Sequence, residues 1–115
     1  MKRYYFWFGY CTPAQIRSND AWSADDESSR RFVVAATTED AAMARGVELA
    51  DAYVRALFLA AEAEEPEVGW RDSGFAHWLE EAPSEGELAA DALVVPSNGY
   101  PDLRDWITTD LRTER

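Results

Sequence analysis

The first ten residues alternate. Tyr4, Phe6, Phe8 and Tyr10 fall on one side of an extended chain, and Tyr5 and Trp7 on the other. Both sides are aromatic, so the pattern predicts a central strand over residues 3 to 10, covered on both faces. Residues 12 to 29 break the pattern. Thr12-Pro13, Ser18-Asn19-Asp20 and the run from Ser23 to Ser29 are turn chemistry, and an irregular connection is expected there. Trp22 stands alone in it, either anchoring the loop or exposed for a partner.

Residues 30 to 36, Arg-Arg-Phe-Val-Val-Ala-Ala, are rich in β-branched and aromatic side chains and predict a second strand. Thr37-Thr38-Glu39-Asp40 then offers a capping hydroxyl followed by acids that suit the start of a helix. Met43, Val47, Ala50, Val54, Leu57 and Ala61 recur at alternating spacings of four and three, which is one apolar stripe. Glu48, Asp51 and Arg55 lie off it, where their pairing is a weak surface effect. Gly46 costs about 1 kcal/mol against Ala in a helix interior, so it points to close approach of the helix to the sheet. The helix is placed at about 38 to 62, and Pro66 cannot continue it.

Beyond the helix the elements shorten. Residues 68 to 71 read as a short strand and 72 to 74 as a turn. Residues 75 to 79 read as a strand in preference to a single helical turn. Ser84-Glu85-Gly86-Glu87 before Leu88 offers an alternative short-helix start. Residues 92 to 95 predict a strand closed by Pro96, and Asn98-Gly99 marks a turn. Residues 102 to 111 predict a short helix with Leu103, Trp106, Ile107 and Leu111 on one side, before a frayed tail from Arg112. The order implies an α+β fold: a small, mostly antiparallel sheet of three to five strands, one long helix packed on a face, and a short C-terminal helix. The 115 residues suit a single domain over 1–115.

Charge changes the picture most. Lys and Arg number 11 against 22 Asp and Glu, for a formal net charge of −11. Ten of the basic residues are Arg and only Lys2 is Lys, a bias that, with abundant Ala, suits a GC-rich bacterial genome. No apolar run nears the roughly 18 residues of a membrane span, and Lys2-Arg3 before an aromatic stretch does not make a signal peptide. One Cys and one His exclude a disulfide framework and a Cys/His zinc site. A cytoplasmic protein without membrane attachment is expected.

No motif names a reaction. Gly-x-Gly-x-x-Gly, P-loop and Gly-x-Ser-x-Gly patterns are absent. Cys11 and His77 are the one pair suited to nucleophilic catalysis, but no local signature surrounds either, and a small cysteine at a strand end with a histidine satisfied near Phe75 and Trp78 is the plainer expectation. Acid doublets such as Asp25-Asp26 and Glu80-Glu81 sit where both carboxylates are solvated and cannot split their pKa values. Asp25-Asp26-Glu27 lacks the spacing and glycine of a calcium loop. No catalytic residue, metal site or cofactor is assigned. The basic residues are scattered, with Arg30-Arg31 the one arginine doublet, so direct nucleic-acid binding is disfavoured.

Residues 62 to 91 hold ten acids against one base, Arg71, together with Trp70, Phe75 and Trp78. Aromatic anchors in an acidic rim suit an interface for a basic partner. The same acids also serve solubility, with the tryptophans in the core. The expected function is a small acidic binding protein that neutralises a basic protein, most concretely an immunity or antitoxin protein against a toxin such as a nuclease. Its contact residues are expected to be Glu64, Glu65, Glu67, Trp70, Asp72, Glu80, Glu81, Glu85 and Glu87, with Trp22, Asp25, Asp26 and Glu27 as a second edge. The alternatives are a small Cys/His enzyme and a homodimeric module pairing through the first strand, if that strand is an edge.

Overall fold

The computed structural model describes residues 1–23, 26–67, 69–72, 76–83, 86–96 and 98–112. Among these residues, four strands form one mixed sheet: β1 (Lys2–Tyr10), β2 (Ser28–Ala36), β3 (His77–Glu81) and β4 (Leu93–Val94), in the order β3-β1-β2-β4. Strand β1 pairs antiparallel with β2 and β3, while β2 pairs parallel with the two-residue β4. Among the described residues, three helices complete the α+β fold: α1 (Pro13–Trp22), α2 (Glu39–Ala60) and α3 (Arg104–Arg112).

The alternation of β1 divides the core as its sequence predicts. Tyr4, Phe6, Phe8 and Tyr10 join Phe32, Val34 and Ala36 of β2 beneath α2. Tyr5 points the other way, into a smaller cluster with Val33 and Ala82, with Trp7, Leu88, Ala89 and Ala92 packed against it. Both neighbours of β1 are occupied, so it presents no free edge, and a homodimer cannot form by adding a strand to it. Across the second face, Trp7 stacks on Trp78 of β3 at 5.6 Å, and the Arg31 guanidinium lies 4.5 Å from the Trp7 ring.

Helix α2 starts as its caps predict: the Thr38 hydroxyl accepts from the Ala41 amide at 3.1 Å, and Glu39 and Asp40 fill the first turn. Its buried face is rotated by about one residue from the predicted stripe. Ala42, Gly46, Leu49, Ala50, Tyr53, Val54, Leu57 and Phe58 are buried, whereas Met43 and Val47 are half-buried. The cause is Gly46. It brings the helix backbone onto Phe6, so that a Cβ placed there would fall on the ring, with Cε2 at 2.7 Å. Proline does not end this helix. The chain leaves through a Schellman turn in which Ala63 N–H donates to Phe58 O, Glu62 N–H donates to Leu59 O, and Glu62 takes the left-handed φ of 55°. Glu48 and Asp51 pair elsewhere than Arg55: Glu48 with Arg45 at 3.0 Å, and Asp51 with Arg71 at 2.6 Å.

The largest departure lies in residues 12 to 29. Ten of them form α1 rather than an irregular connection. Thr12 accepts from the Gln15 amide at 3.2 Å while its own amide donates to the Gln15 side chain at 2.9 Å, a complete capping box with Pro13 in the first turn. Polar side chains then moor the helix. Gln15 bonds Ser28, and the Asn19 amide both donates to and accepts from the backbone of Asp26. Only Pro13 is buried, so no apolar stripe announces the helix.

Smaller differences follow the same logic. Residues 70–72 form a 3₁₀ turn rather than a strand, because the Trp70 side chain must turn inward to the core. Strand β3 starts at His77; Phe75, the 73–74 turn and Ser84 lie outside the described residues. No helix occurs at 86–90. Arg112 closes α3 rather than fraying.

Candidate functional site

A polar knot fixes one end of the sheet. Asp110 of α3 is buried and accepts hydrogen bonds from Tyr10 at 2.5 Å, from Tyr53, and from Arg30 Nη2 at 2.7 Å. Arg30 Nε also donates to Tyr10 Oη at 3.0 Å, and its guanidinium lies 5.0 Å from the Trp106 ring. Burial, reinforced by the Asp110 charge, raises both tyrosine hydroxyls well above their ordinary range. The knot was not legible from spacing. Its one trace is that Asp110 falls four residues after Trp106, on the apolar side of α3.

Outside the knot, Tyr10 forms part of the wall of a cleft of about 410 Å³. Val54, Arg55 and Phe58 of α2 form another wall. Cys11 lies just before α1 and Ile16 near its start, and Pro66, Gly69 and Trp70 come from the segment after α2. The size sits near the lower end of ligand sites, about 300–1,000 Å³. Trp70 is held in place by its indole N–H, which donates to Asp51 at 2.7 Å, and by edge-on packing against Phe8 and His77. Arg71 donates to the other oxygen of the same carboxylate.

The cleft gathers acids from both ends of the predicted contact surface. Glu65, Trp70 and Asp72 come from the acidic segment, and Glu27 from the second edge. With Asp51, four carboxylates line it against two guanidiniums, Arg55 and Arg71. Glu64 and Glu67 are exposed beside it in sequence. Asp26 is exposed, and its backbone is engaged by Asn19. Trp22 projects from the end of α1, 79% exposed. The remaining acids do not join this cleft. Glu80 and Glu81 are exposed on the outermost strand, where Glu80 accepts from the Trp78 indole at 3.1 Å, and Glu87 lies exposed in the following connection. Asp25 and Glu85 lie outside the described residues.

Cys11 shows the electrostatic character of the cleft. Partial burial pushes its thiol pKa up first, and the charges of Glu27 and Asp26 push it further. A thiol so placed is held protonated, the reverse of what nucleophilic catalysis requires. Its Sγ donates to Asp26 O at 3.3 Å. His77 instead packs between Phe6 and Trp70, at ring distances of 5.8 and 5.3 Å, and its buried Nδ1 has no hydrogen-bond partner among the described residues. Arg30 and Arg31 do not form a basic patch: Arg30 is spent on Asp110, and Arg31 on Asp91, whose carboxyl that contact holds below its usual range.

Among the described residues, no cluster of His, Cys, Asp and Glu is arranged to hold a metal ion, and no helix is long and apolar enough to cross a membrane. The chain matches no family model, curated protein or solved structure with which it was compared.

Proposed function

We propose that this chain is an acidic binding protein that neutralises a basic protein partner, in the manner of an immunity or antitoxin protein covering a toxin such as a nuclease. One observation carries the proposal: an aromatic-walled cleft draws carboxylates from chain segments on both sides of α2, and the exposed Glu62, Glu64, Glu65 and Glu67 follow directly behind that helix. Acids there work against the fold, because the C-terminal end of a helix already carries partial negative charge. A cationic partner would relieve that repulsion. The exposed acids would steer it in, and the aromatic wall would hold it. The protonated Cys11 and its separate engagement from His77 weigh against a thiol enzyme.

Affinity capture from lysate of the source cell, washed at low and then high salt, tests the proposal. We expect one stoichiometric basic protein, released by salt and lost when Glu64, Glu65 and Glu67 are changed together to Gln. Capture of no specific protein, or capture indifferent to both salt and those substitutions, would overturn it.

A further inference from the structure

We propose that the cleft is a receptor for a single arginine side chain presented by the basic partner. The inference rests on the binding function proposed above and adds what the partner must carry.

The cleft suits a long side chain with a flat cationic head. Its volume of about 410 Å³ is too small for a folded element and ample for one extended side chain with part of its neighbours. Val54, Ile16 and Phe58 give apolar surface for an aliphatic stem, while Trp70 adds aromatic surface. A guanidinium gains from both surroundings, since it stacks on aromatic faces and bonds carboxylates through a planar fork. The cleft itself already holds one such contact: Arg71 lies 5.8 Å from the Trp70 ring while bonding Asp51.

The carboxylates divide into two roles. Asp51 is occupied by the Trp70 indole and Arg71, so it positions the wall rather than meeting a ligand. Glu65 and Asp72 are exposed at the cleft and make no ion pair among the described residues. These two are the acceptors for an incoming fork. Glu27 adds its charge from the opposite side, where the raised Cys11 thiol registers it. An ammonium would use the same charge but forgo the planar stacking, so arginine is preferred to lysine.

The test is a titration of the isotopically labelled protein with acetyl-Gly-Arg-Gly-amide, followed by the Gly69 amide and Trp70 indole resonances. The lysine and citrulline analogues are run beside it. We expect saturable shifts with arginine, weaker binding with lysine, and none with the neutral citrulline. Changing Glu65 to Gln and Asp72 to Asn together should weaken arginine binding about tenfold or more, whereas changing Glu80 and Glu81 to Gln should leave it within about twofold. Equal shifts with citrulline, or arginine shifts that never saturate and spread over the whole acidic surface, would overturn the proposal. Salt-sensitive capture of a basic protein that survives the Glu65→Gln and Asp72→Asn pair would sink the arginine receptor and leave the neutralising function standing. Saturable, specific arginine binding without any captured protein would do the reverse.

Discussion

Removing the carboxylate of Asp110 should unlock the polar knot beneath α2. The side chain of Asp110 is 9% exposed and that of Arg30 is 17% exposed, so their contact is shielded from water. The substitution Asp110→Ala leaves a guanidinium without its anion and two phenol hydroxyls, on Tyr10 and Tyr53, without their acceptor. Stripping one partner from a buried ion pair costs about 3–5 kcal/mol. Arg30 keeps a weak contact to Trp106 O at 3.4 Å, which places the expected loss near the middle of that range, about 4 kcal/mol. Asp110→Asn keeps the shape and one acceptor and loses the charge, so about 2 kcal/mol is expected. The decisive comparison is Arg30→Met with Asp110→Leu. Removing both charges together should restore at least about 1 kcal/mol relative to Asp110→Ala, because no ion remains buried alone. Urea unfolding followed by circular dichroism reads the wild type, these variants and the two singles Arg30→Met and Asp110→Leu, provided the slope with denaturant stays constant. A cost below about 1 kcal/mol for Asp110→Ala, or a double variant whose cost is the sum of its singles, would refute the account.

The same knot sets an alkaline limit. The folded state raises the Tyr10 and Tyr53 pKa values, so both states keep those protons below pH about 10; above it the unfolded chain releases them first, and stability should fall by up to about 1.4 kcal/mol per tyrosine per pH unit. Thermal unfolding from pH 8 to 11 should show this slope, and Tyr53→Phe should reduce it; a flat profile would contradict the burial of these hydroxyls. Gly46→Ala should destabilise despite the better helix propensity of alanine. Its methyl meets the fully buried Phe6 ring, and overpacking of about 1–3 kcal/mol exceeds a propensity gain of about 1 kcal/mol. A higher melting temperature for that variant would show that the ring yields easily. Glu62→Gly should stabilise by about 0.5–1 kcal/mol, since it relieves a left-handed non-glycine residue and removes an acid from the negative end of α2. An unchanged or lower denaturation midpoint would argue against the Schellman turn.

What the sequence disclosed depended on periodicity. Strand β1 alternates between two covered faces and helix α2 buries one side, and their repeats of two and about 3.6 residues are plain in the order of residues. Ala50, Val54 and Leu57 were readable as core, while Gly46 displaced the rest of the buried face, an effect of tertiary contact that no helical stripe encodes. Helix α1 was hidden because it is held by a cap and by polar moorings rather than by an apolar face. Its one local sign was the Thr12-Pro13-Ala14-Gln15 start. The candidate site was half legible. The acidic bias and Trp70 marked the right segment, but bringing Glu27 to Glu65 and Asp72 takes the whole fold.

The knot also bears on the order in which the molecule comes into being. Tyr10 and Asp110 are 100 positions apart, and β1 sits between two strands that flank it in space but come later in the chain. At a synthesis rate of about 5–20 residues per second, the ribosome exposes Tyr10 roughly 5–20 s before Asp110. During that interval the Tyr10 and Tyr53 hydroxyls and the Arg30 guanidinium have been made, yet the anion that receives them has not. Of the four strands described, the first in chain order is therefore tied down by the last helix. A chain cut short of Asp110 lacks the one carboxylate that the Tyr10 and Tyr53 hydroxyls and the Arg30 guanidinium share.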